Sequence, residues 1–183
     1  MVLELVKPSA RYLDSVREAV REYKAEPSKF EIHAVSRMIE AVNSDFSYYL
    51  KQTEQNSRGL DLKPGHVANT VFWLVDGNKY LGTFDLRHNL SPSLENIGGH
   101  IAYQIRPSEY RKGYVSAGLQ LCLAEARKMG IEKALLTCKS DNIGSYAVMC
   151  KAMRETGGYE AEPYENDGEV SKRVWLYTSK ENQ

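Results

Sequence analysis

A short basic turn that ends in glycine is the part of this sequence best suited to chemistry. The turn Tyr110-Arg111-Lys112-Gly113 follows an alternating apolar pattern typical of a strand and precedes a pattern typical of a helix. The glycine allows the backbone to approach an oxygen atom closely. The unpaired N–H groups and the dipole of a following helix favour negative charge. The turn therefore predicts a cradle for a phosphate group, and a solvated turn with no ligand is the alternative.

A second polar cluster opens the next predicted helix. Ser140-Asp141-Asn142 follows an apolar strand pattern at 134–138, and Ser145 comes shortly after it. A strand–helix–strand unit of this length is expected to close as a right-handed parallel crossover, which places the cradle at the carboxyl end of a parallel sheet. The strand before the cradle, the helix after it and this second cluster together favour the phosphate interpretation.

The remaining patterns predict the elements that must position these clusters. Leu3 and Leu5 alternate as a first strand, and Ser9 can cap the helix that follows. Two helices are predicted over 31–56 with a division near 43–44, and a glycine-bearing turn predicts a hairpin. The further predicted elements are hairpin strands at 68–75 and 79–86, a loop at 88–96, a strand at 98–105, a helix after the cradle, a strand at 134–138, a helix at 142–154, and strands near 159–164 and 170–178.

Composition argues against several classes of function. Lys plus Arg and Asp plus Glu both number 24, so no domain-wide basic field is available to hold a nucleic acid. The apolar runs fall far short of the ~20 residues that span a bilayer, and the amino terminus lacks the apolar core of a signal peptide. We therefore expect no nucleic acid or membrane partner and a cytoplasmic location. The spacing of the cysteines and histidines predicts free buried thiols and no metal site.

Residues 98–153 resemble the cofactor-binding half of the GNAT superfamily, the acetyl-CoA-dependent N-acetyltransferases. The phosphate loop of that family follows Arg/Gln-x-x-Gly-x-Gly/Ala, and residues 105–115 occupy this pattern with Tyr110 and Val115 at its first and last positions. Residues 141–145 resemble the Asn-bearing start of the family's next helix. The resemblance implies one GNAT domain over 1–183 with 98–153 as its cofactor-binding core. The fold implied is α/β (α+β), with a mixed central sheet flanked by helices on both faces.

The same resemblance implies acetyl-CoA as the cofactor and acetyl donor. The strand before the cradle would splay from its neighbour and offer main-chain groups to the pantetheine and the thioester carbonyl. The cradle would hold the pyrophosphate, and the asparagine of the second cluster would bond the pantetheine arm. The cofactor-binding residues expected on this basis are Tyr103, Gln104, Ile105, Tyr110, Arg111, Lys112, Gly113, Tyr114, Val115, Ser116, Asn142 and Ser145.

Three residues are candidates for proton transfer. An alkyl amine has a pKa near ~10.4 and is protonated at neutral pH, so a base is useful. His100 is the first candidate because it lies on the strand where the family places such groups and can titrate near neutral pH. A hydrogen-bonded structural role for His100 is an equal alternative. Glu95 is the second candidate. Met149 stands where many family members have a tyrosine that acts as the acid toward the departing thiolate. Tyr146, one turn earlier, is a substitute, or else it packs against the sheet or a dimer partner.

The function implied is acetyl transfer to a primary amine of a small molecule or peptide, by direct attack through a tetrahedral intermediate. The alternative is a non-catalytic acyl-CoA-binding or sensing module of the same fold. Phe46, Tyr48 and Tyr49 are expected to border the acceptor or to be ordinary packed aromatics. The acid-rich segment from Glu155 to Glu169 favours a cationic acceptor if it lies nearby, and it is otherwise a solvated hairpin. A homodimer remains open.

Overall fold

Seven strands form two antiparallel sheets in the computed structural model, which describes residues 2–29, 31–60 and 62–179. The larger sheet has the order β1-β2-β3-β4 and the smaller one the order β5-β7-β6. The strands are β1 (Leu3–Val6), β2 (Asn69–Asp76), β3 (Lys79–Arg87), β4 (Ile101–Ile105), β5 (Lys133–Lys139), β6 (Tyr159–Asn166) and β7 (Glu169–Tyr177). All seven match strands predicted from the sequence.

Within the described residues, six α-helices connect these strands: α1 (Leu13–Ala25), α2 (His33–Asn43), α3 (Phe46–Ser57), α4 (Pro92–Asn96), α5 (Tyr114–Lys128) and α6 (Ile143–Thr156). The division between α2 and α3 falls where it was predicted, and Asp45 caps α3 by accepting from the N–H of Tyr48 at 2.8 Å. The prediction of a loop over 88–96 is wrong in part because α4 lies there. Ser91 caps α4 and Pro92 occupies its first turn, a start signal for a helix that the sequence contained.

The four-stranded sheet carries a separate apolar core on each face. Successive residues of β2 alternate between them, so Trp73 packs with α1, α2 and α3 while Leu74 packs with α5 and α6. Gly118 of α5 lies directly over the ring of Phe84, where an added Cβ would collide with it. Helices therefore cover both faces of the sheet, as the fold class predicted. Cys122 and Cys138 are buried free thiols and Cys150 is a half-buried one.

The two sheets meet at one end of β4 and β5. The N–H of His100 donates to the carbonyl of Leu135 at 2.6 Å, and the N–H of Gly98 donates to Oγ1 of Thr137 at 2.8 Å. Gly99 has φ +60° at this junction, and an added Cβ would collide with the carbonyl oxygen of Leu135. The predicted parallel pairing is not observed: every strand pair among the described residues is antiparallel. The strand β4 therefore has one edge without a partner strand.

Candidate active site

The unpaired edge of β4 exposes backbone groups in a fixed pattern. The N–H of Arg87 donates to the carbonyl of His100, and the N–H of Arg106 donates to the carbonyl of Leu81, each at 2.8 Å. Because bonding alternates along an antiparallel ladder, the even-numbered residues of β4 face β3. The N–H and C=O groups of Tyr103 and Ile105 consequently point away from β3, toward the gap between the sheets. This is the side from which the resemblance predicted that they contact the cofactor.

The cradle, residues 110–116, follows β4 and forms the start of α5. Gly113 is the N-cap with φ +81°, and no side chain caps this helix within the described chain. An added Cβ at Gly113 would meet no described atom within 4 Å, so the space in front of the helix is open. Arg111 and Lys112 are exposed beside it. An uncapped helix start flanked by cations is suited to an anion.

Two buried side chains just before the cradle, Glu109 and Arg106, form ion pairs that hold this part of the chain in place. The carboxylate of Glu109 is 5% exposed and accepts from Nζ of Lys79 at 2.5 Å and from Nζ of Lys112 at 2.9 Å. Burial alone would raise the pKa of Glu109, but the two ammonium groups outweigh it and lower that pKa. The guanidinium of Arg106 is buried against the carboxylate of Glu22. The charge of Lys112 is thus partly neutralised by Glu109, whereas Arg111 has no hydrogen bond or ion pair to another described residue.

The start of α6 is joined to β4 across the gap between the sheets. Oδ1 of Asn142 accepts from the N–H of Ser145 at 3.1 Å, and Oγ of Ser145 lies 2.8 Å from the hydroxyl of Tyr103. The ring of Tyr103 packs against Phe84, and burial raises the pKa of its hydroxyl to about 12. The structure therefore brings together Tyr103, Asn142 and Ser145, three of the residues predicted to bind the cofactor.

Gln104 differs from the other predicted cofactor residues. Its backbone belongs to the side of β4 that faces β3, and its side-chain oxygen accepts from the N–H of Ile32 at 3.0 Å, just before α2. The geometry does not support a cofactor contact because both its backbone and its side chain are turned toward other parts of the fold. What Gln104 does instead is to hold the start of α2 against β4.

A cleft of about 570 Å³ lies on the face of the sheet covered by α2 and α3. We call it the α2–α3 cleft. Residues of α2 and α3 at helical spacing form two of its walls, and the loop before β2 forms a third. Its floor is the end of β3, beside β4, since Asp85 is the register partner of Ala102. The lining residues are His33, Arg37, Glu40, Tyr48, Gln52, Asn56, Leu62, Lys63, Gly65, His66, Val67, Asn69, Asp85, Arg87, Ser93 and Leu94.

A buried carboxylate forms the floor of the α2–α3 cleft. Asp85 is 6% exposed, and its Oδ1 accepts from Nδ2 of Asn69 at 2.5 Å. The guanidinium of Arg87 lies 3.7 Å from its other oxygen. That guanidinium also donates to the carbonyls of Gly98 and Gly99, each at 2.9 Å. Arg87 is therefore held by the junction of the sheets, and Asp85 retains acceptor capacity toward the cleft.

His33 is the first residue of α2 and one of the two histidines that line the cleft. It directly follows Ile32, which Gln104 holds against β4. Burial first, and then the charge of Arg37, lower the pKa of the His33 imidazole below its ordinary value of 6.5. The ring is therefore neutral at pH 7 and able to accept a proton.

The three predicted catalytic residues lie outside this cleft. His100 is buried at the sheet junction, where Nδ1 accepts from the N–H of Leu135 at 3.0 Å; burial and then Arg87 lower its pKa to about 4. Glu95 is exposed on α4. The hydroxyl of Tyr146 donates to Glu160 at 2.9 Å, and this bond raises its pKa. These positions do not support the predicted roles, because each group is committed elsewhere or faces solvent.

The three aromatic residues expected either to border the acceptor or to pack in the core lie in different places. Tyr48 lines the α2–α3 cleft, whereas Phe46 stacks on Trp73 and Tyr49 is buried in the core. None of the acids from 155 to 169 lines the cleft among the described residues. The segment is largely a solvent-exposed hairpin of β6 and β7. The observation that favoured a cationic acceptor therefore does not apply to this cleft.

Reasoning from the sequence missed the polar residues of the α2–α3 cleft, although the sequence contains two signals for them. His33, Arg37 and Glu40 recur at helical spacing opposite the apolar stripe of α2. Asp85 interrupts an apolar strand, and a charge within a buried strand needs a reason.

The described part of the chain contains no cluster of three or more potential metal ligands and no helix long and apolar enough to cross a membrane.

Comparison with known proteins identifies the fold and the family. A model of the GNAT acetyltransferase domain matches residues 12–152. No curated protein matches the chain significantly. An N-acetyltransferase from Staphylococcus aureus Mu50 has 13% identity and a TM-score of 0.61, with coverage of 98% of this chain and 100% of that one. PaiA N-acetyltransferase from Thermoplasma acidophilum, solved with coenzyme A, has 14% identity, a TM-score of 0.54 and coverage of 94% and 98%.

A spermidine N-acetyltransferase chimera of SpeG from Vibrio cholerae and hSSAT is a third similar structure. It shares 16% identity with this chain at a TM-score of 0.57, and the match covers 97% of this chain and 96% of the chimera. At these identities the structural similarity shows a common fold. The match to the family model, which spans most of the chain, is the finding that bears on activity.

Proposed function

Since the chain belongs to the GNAT acetyltransferase family, we propose that it transfers an acetyl group from acetyl-CoA to a primary amine bound in the α2–α3 cleft. The family makes the chain an acyltransferase that uses acetyl-CoA. The observation that carries the more specific proposal is the position of β4. Its unpaired edge begins beside the floor of the cleft and leads to the uncapped start of α5.

The residues of the cradle fit the diphosphate of acetyl-CoA. The helix start is open at Gly113 and lacks a side-chain cap among the described residues. Val115 packs against the apolar core between α5 and the sheet, so its methyl groups contribute to that core. Arg111 supplies an exposed positive charge with no described partner. The N–H groups of the first turn of α5 would hold the phosphates, which is where helix starts bind anions.

The edge of β4 fits the pantetheine arm. The N–H and C=O groups of Tyr103 and Ile105 face the gap between the sheets and can bond an extended amide-bearing chain as a strand would. Asn142 and Ser145 lie on the opposite side of the gap and are tied to Tyr103. When bound, acetyl-CoA supplies an activated acetyl thioester. Backbone N–H groups positioned at the thioester carbonyl would be worth about 3–4 kcal/mol each in transition-state stabilisation.

We propose that His33 accepts the proton of the amine, in place of the His100 that the sequence suggested. An amine with a pKa near ~10.4 arrives protonated, and the carboxylate of Asp85 can hold the ammonium at the floor of the cleft. His33 lines the same cleft, has its pKa lowered, and lies where α2 is held against β4. His100 instead holds the two sheets together through Leu135. An amine as acceptor is also supported by the spermidine N-acetyltransferase that has this fold.

The test is thiol release from acetyl-CoA over a panel of primary amines, with the acetylated product identified by mass spectrometry. The His33→Gln variant keeps a polar side chain of similar size that cannot titrate. We expect its rate to be lower than that of the wild type by about 10²-fold or more. The wild-type rate should fall as pH drops through the His33 pKa, below 6.5, because the protonated ring cannot accept a proton. His66→Gln, on the loop before β2 that lines the same cleft, is the matched control.

Two results would contradict this proposal in different ways. Binding of acetyl-CoA without acetylation of any amine would favour the acyl-CoA-binding or sensing module. A wild-type rate and pH profile in His33→Gln would show that the base is solvent or another group, while leaving acetyl transfer in place.

A further inference from the structure

One cation of the α2–α3 cleft has no role in the mechanism above. Arg37 is half-buried on α2, one turn after His33, and lines the cleft. No described residue forms a hydrogen bond or an ion pair with its guanidinium. A second cation, Lys63, lies on the loop before β2 that also lines the cleft. The third, Arg87, is already occupied by the carbonyls of Gly98 and Gly99.

The cleft presents negative charge as well. Asp85 lies at its floor, and Glu40 lies one turn beyond Arg37 on the same face of α2. Arg37 and Asp85 line the same cleft, Arg37 from α2 and Asp85 from β3. The cleft therefore offers charges of both signs to a single ligand.

These charges restrict the acceptor. A half-buried guanidinium with no hydrogen-bond or ion-pair partner among the described residues keeps its donors available, and a ligand anion can accept charge-assisted hydrogen bonds from them. A polyamine would bring several positive charges toward Arg37 and Lys63 and is therefore a poor fit. A doubly charged phosphate would meet Asp85 and Glu40. A planar carboxylate carries a single negative charge and matches the paired donors of an arginine.

We propose that the acceptor is an amine that also carries a carboxylate, with the carboxylate bound by Arg37 and the ammonium directed toward Asp85. This proposal narrows the substrate class of the proposed acetyltransferase, and it rests on the proposed function because that function identifies the α2–α3 cleft as the acceptor site. The substrate class is thus amino-acid-like, and Arg37 is the residue that determines this specificity. Lys63 adds positive charge near the carboxylate without a fixed geometry, since it is exposed.

The test measures binding in the absence of acetyl-CoA, so that it does not depend on turnover. The twenty common L-amino acids are titrated by calorimetry or ligand-observed NMR beside their α-amides and decarboxylated amines, which keep the amine and lose the carboxylate. We expect at least one acid to bind at least tenfold more tightly than both of its matched compounds. In Arg37→Gln that preference should fall to about twofold or less. In Arg154→Gln, an exposed arginine of α6 outside the cleft, it should be unchanged.

The outcomes separate the two proposals. If no acid binds more tightly than its amide and amine, or if Arg37→Gln keeps the full preference, the inference is overturned while acetyl transfer to a plain amine still stands. If an acid binds through Arg37 but mass spectrometry finds no acetylated product with acetyl-CoA present, recognition of the carboxylate by Arg37 stands, whereas the proposed function and the ligand's role as acceptor fail. Circular dichroism of Arg37→Gln checks that the variant is folded.

Discussion

Gly113→Glu should abolish tight binding of acetyl-CoA by placing a carboxylate in front of the α5 helix start. Gly113 has φ +81°, and the space that its side chain would enter is open. A carboxylate held about 5 Å from one phosphate charge would repel it by about 1–3 kcal/mol for effective dielectric constants of 80 to 20. That energy corresponds to an increase in Kd of about 5- to 150-fold for a single phosphate charge. The diphosphate carries more than one, so we expect the upper part of this range.

The same helix provides a matched control. Gly130 follows the other end of α5 with φ +78°, and an added Cβ there also meets no described atom within 4 Å. Both substitutions force a non-glycine residue into the left-handed region, which costs about 1–2 kcal/mol. For a chain of this size each variant should therefore lose about 2–8 °C in Tm. Gly130→Glu should pay only this conformational cost and bind acetyl-CoA as the wild type does.

The assay is calorimetric titration with acetyl-CoA and with CoA, combined with thermal unfolding in the absence of ligand. Selective loss of affinity in Gly113→Glu at equal stability supports the cradle. If both variants bind with wild-type affinity, the diphosphate is held elsewhere. If both lose affinity to the same extent, the effect comes from α5 as a whole and the reasoning about the helix start is refuted.

Two further predictions concern charges in and near this site. Arg111→Ala should weaken acetyl-CoA binding several-fold more than Lys112→Ala, because Glu109 already neutralises part of the Lys112 charge; equal losses measured by calorimetry would mean that this ion pair opens on binding. His100 has a pKa of about 4, below the ordinary 6.5, so the unfolded chain binds more protons between these values and stability should fall as pH drops from 6.5 toward 4. The fall attributable to His100 is at most about 3 kcal/mol. His100→Asn can still accept from Leu135 but cannot titrate, and urea unfolding at pH 7 and pH 5 should show a smaller loss than in the wild type. An equal loss would contradict the assignment of this pKa.

Local sequence signals determined the order and boundaries of most elements and the position of the cradle. The turn between β2 and β3, the apolar stripe of α5 and the glycine at 113 depend on residues that are neighbours in the chain, so these signals can be read without a structure. The resemblance to the GNAT superfamily implied that Tyr103, Ile105, Asn142 and Ser145 belong to one site. The contact of Tyr103 with Ser145, whose N–H donates to Asn142, is consistent with that prediction.

The tertiary structure decided which polar groups are free to act. His100 and Gln104 look like site residues in the sequence, but Leu135 and Ile32, far away in the chain, occupy their side chains. Asp85 and Arg37 are separated by 48 positions in the sequence and line one cleft only because α2 packs over β3. A side chain's burial and its partners are set by long-range packing, and these in turn set its pKa and its availability to a ligand. The sequence by itself therefore determined the family and the cradle, whereas the α2–α3 cleft, where we propose that the acceptor binds, exists only in the folded chain.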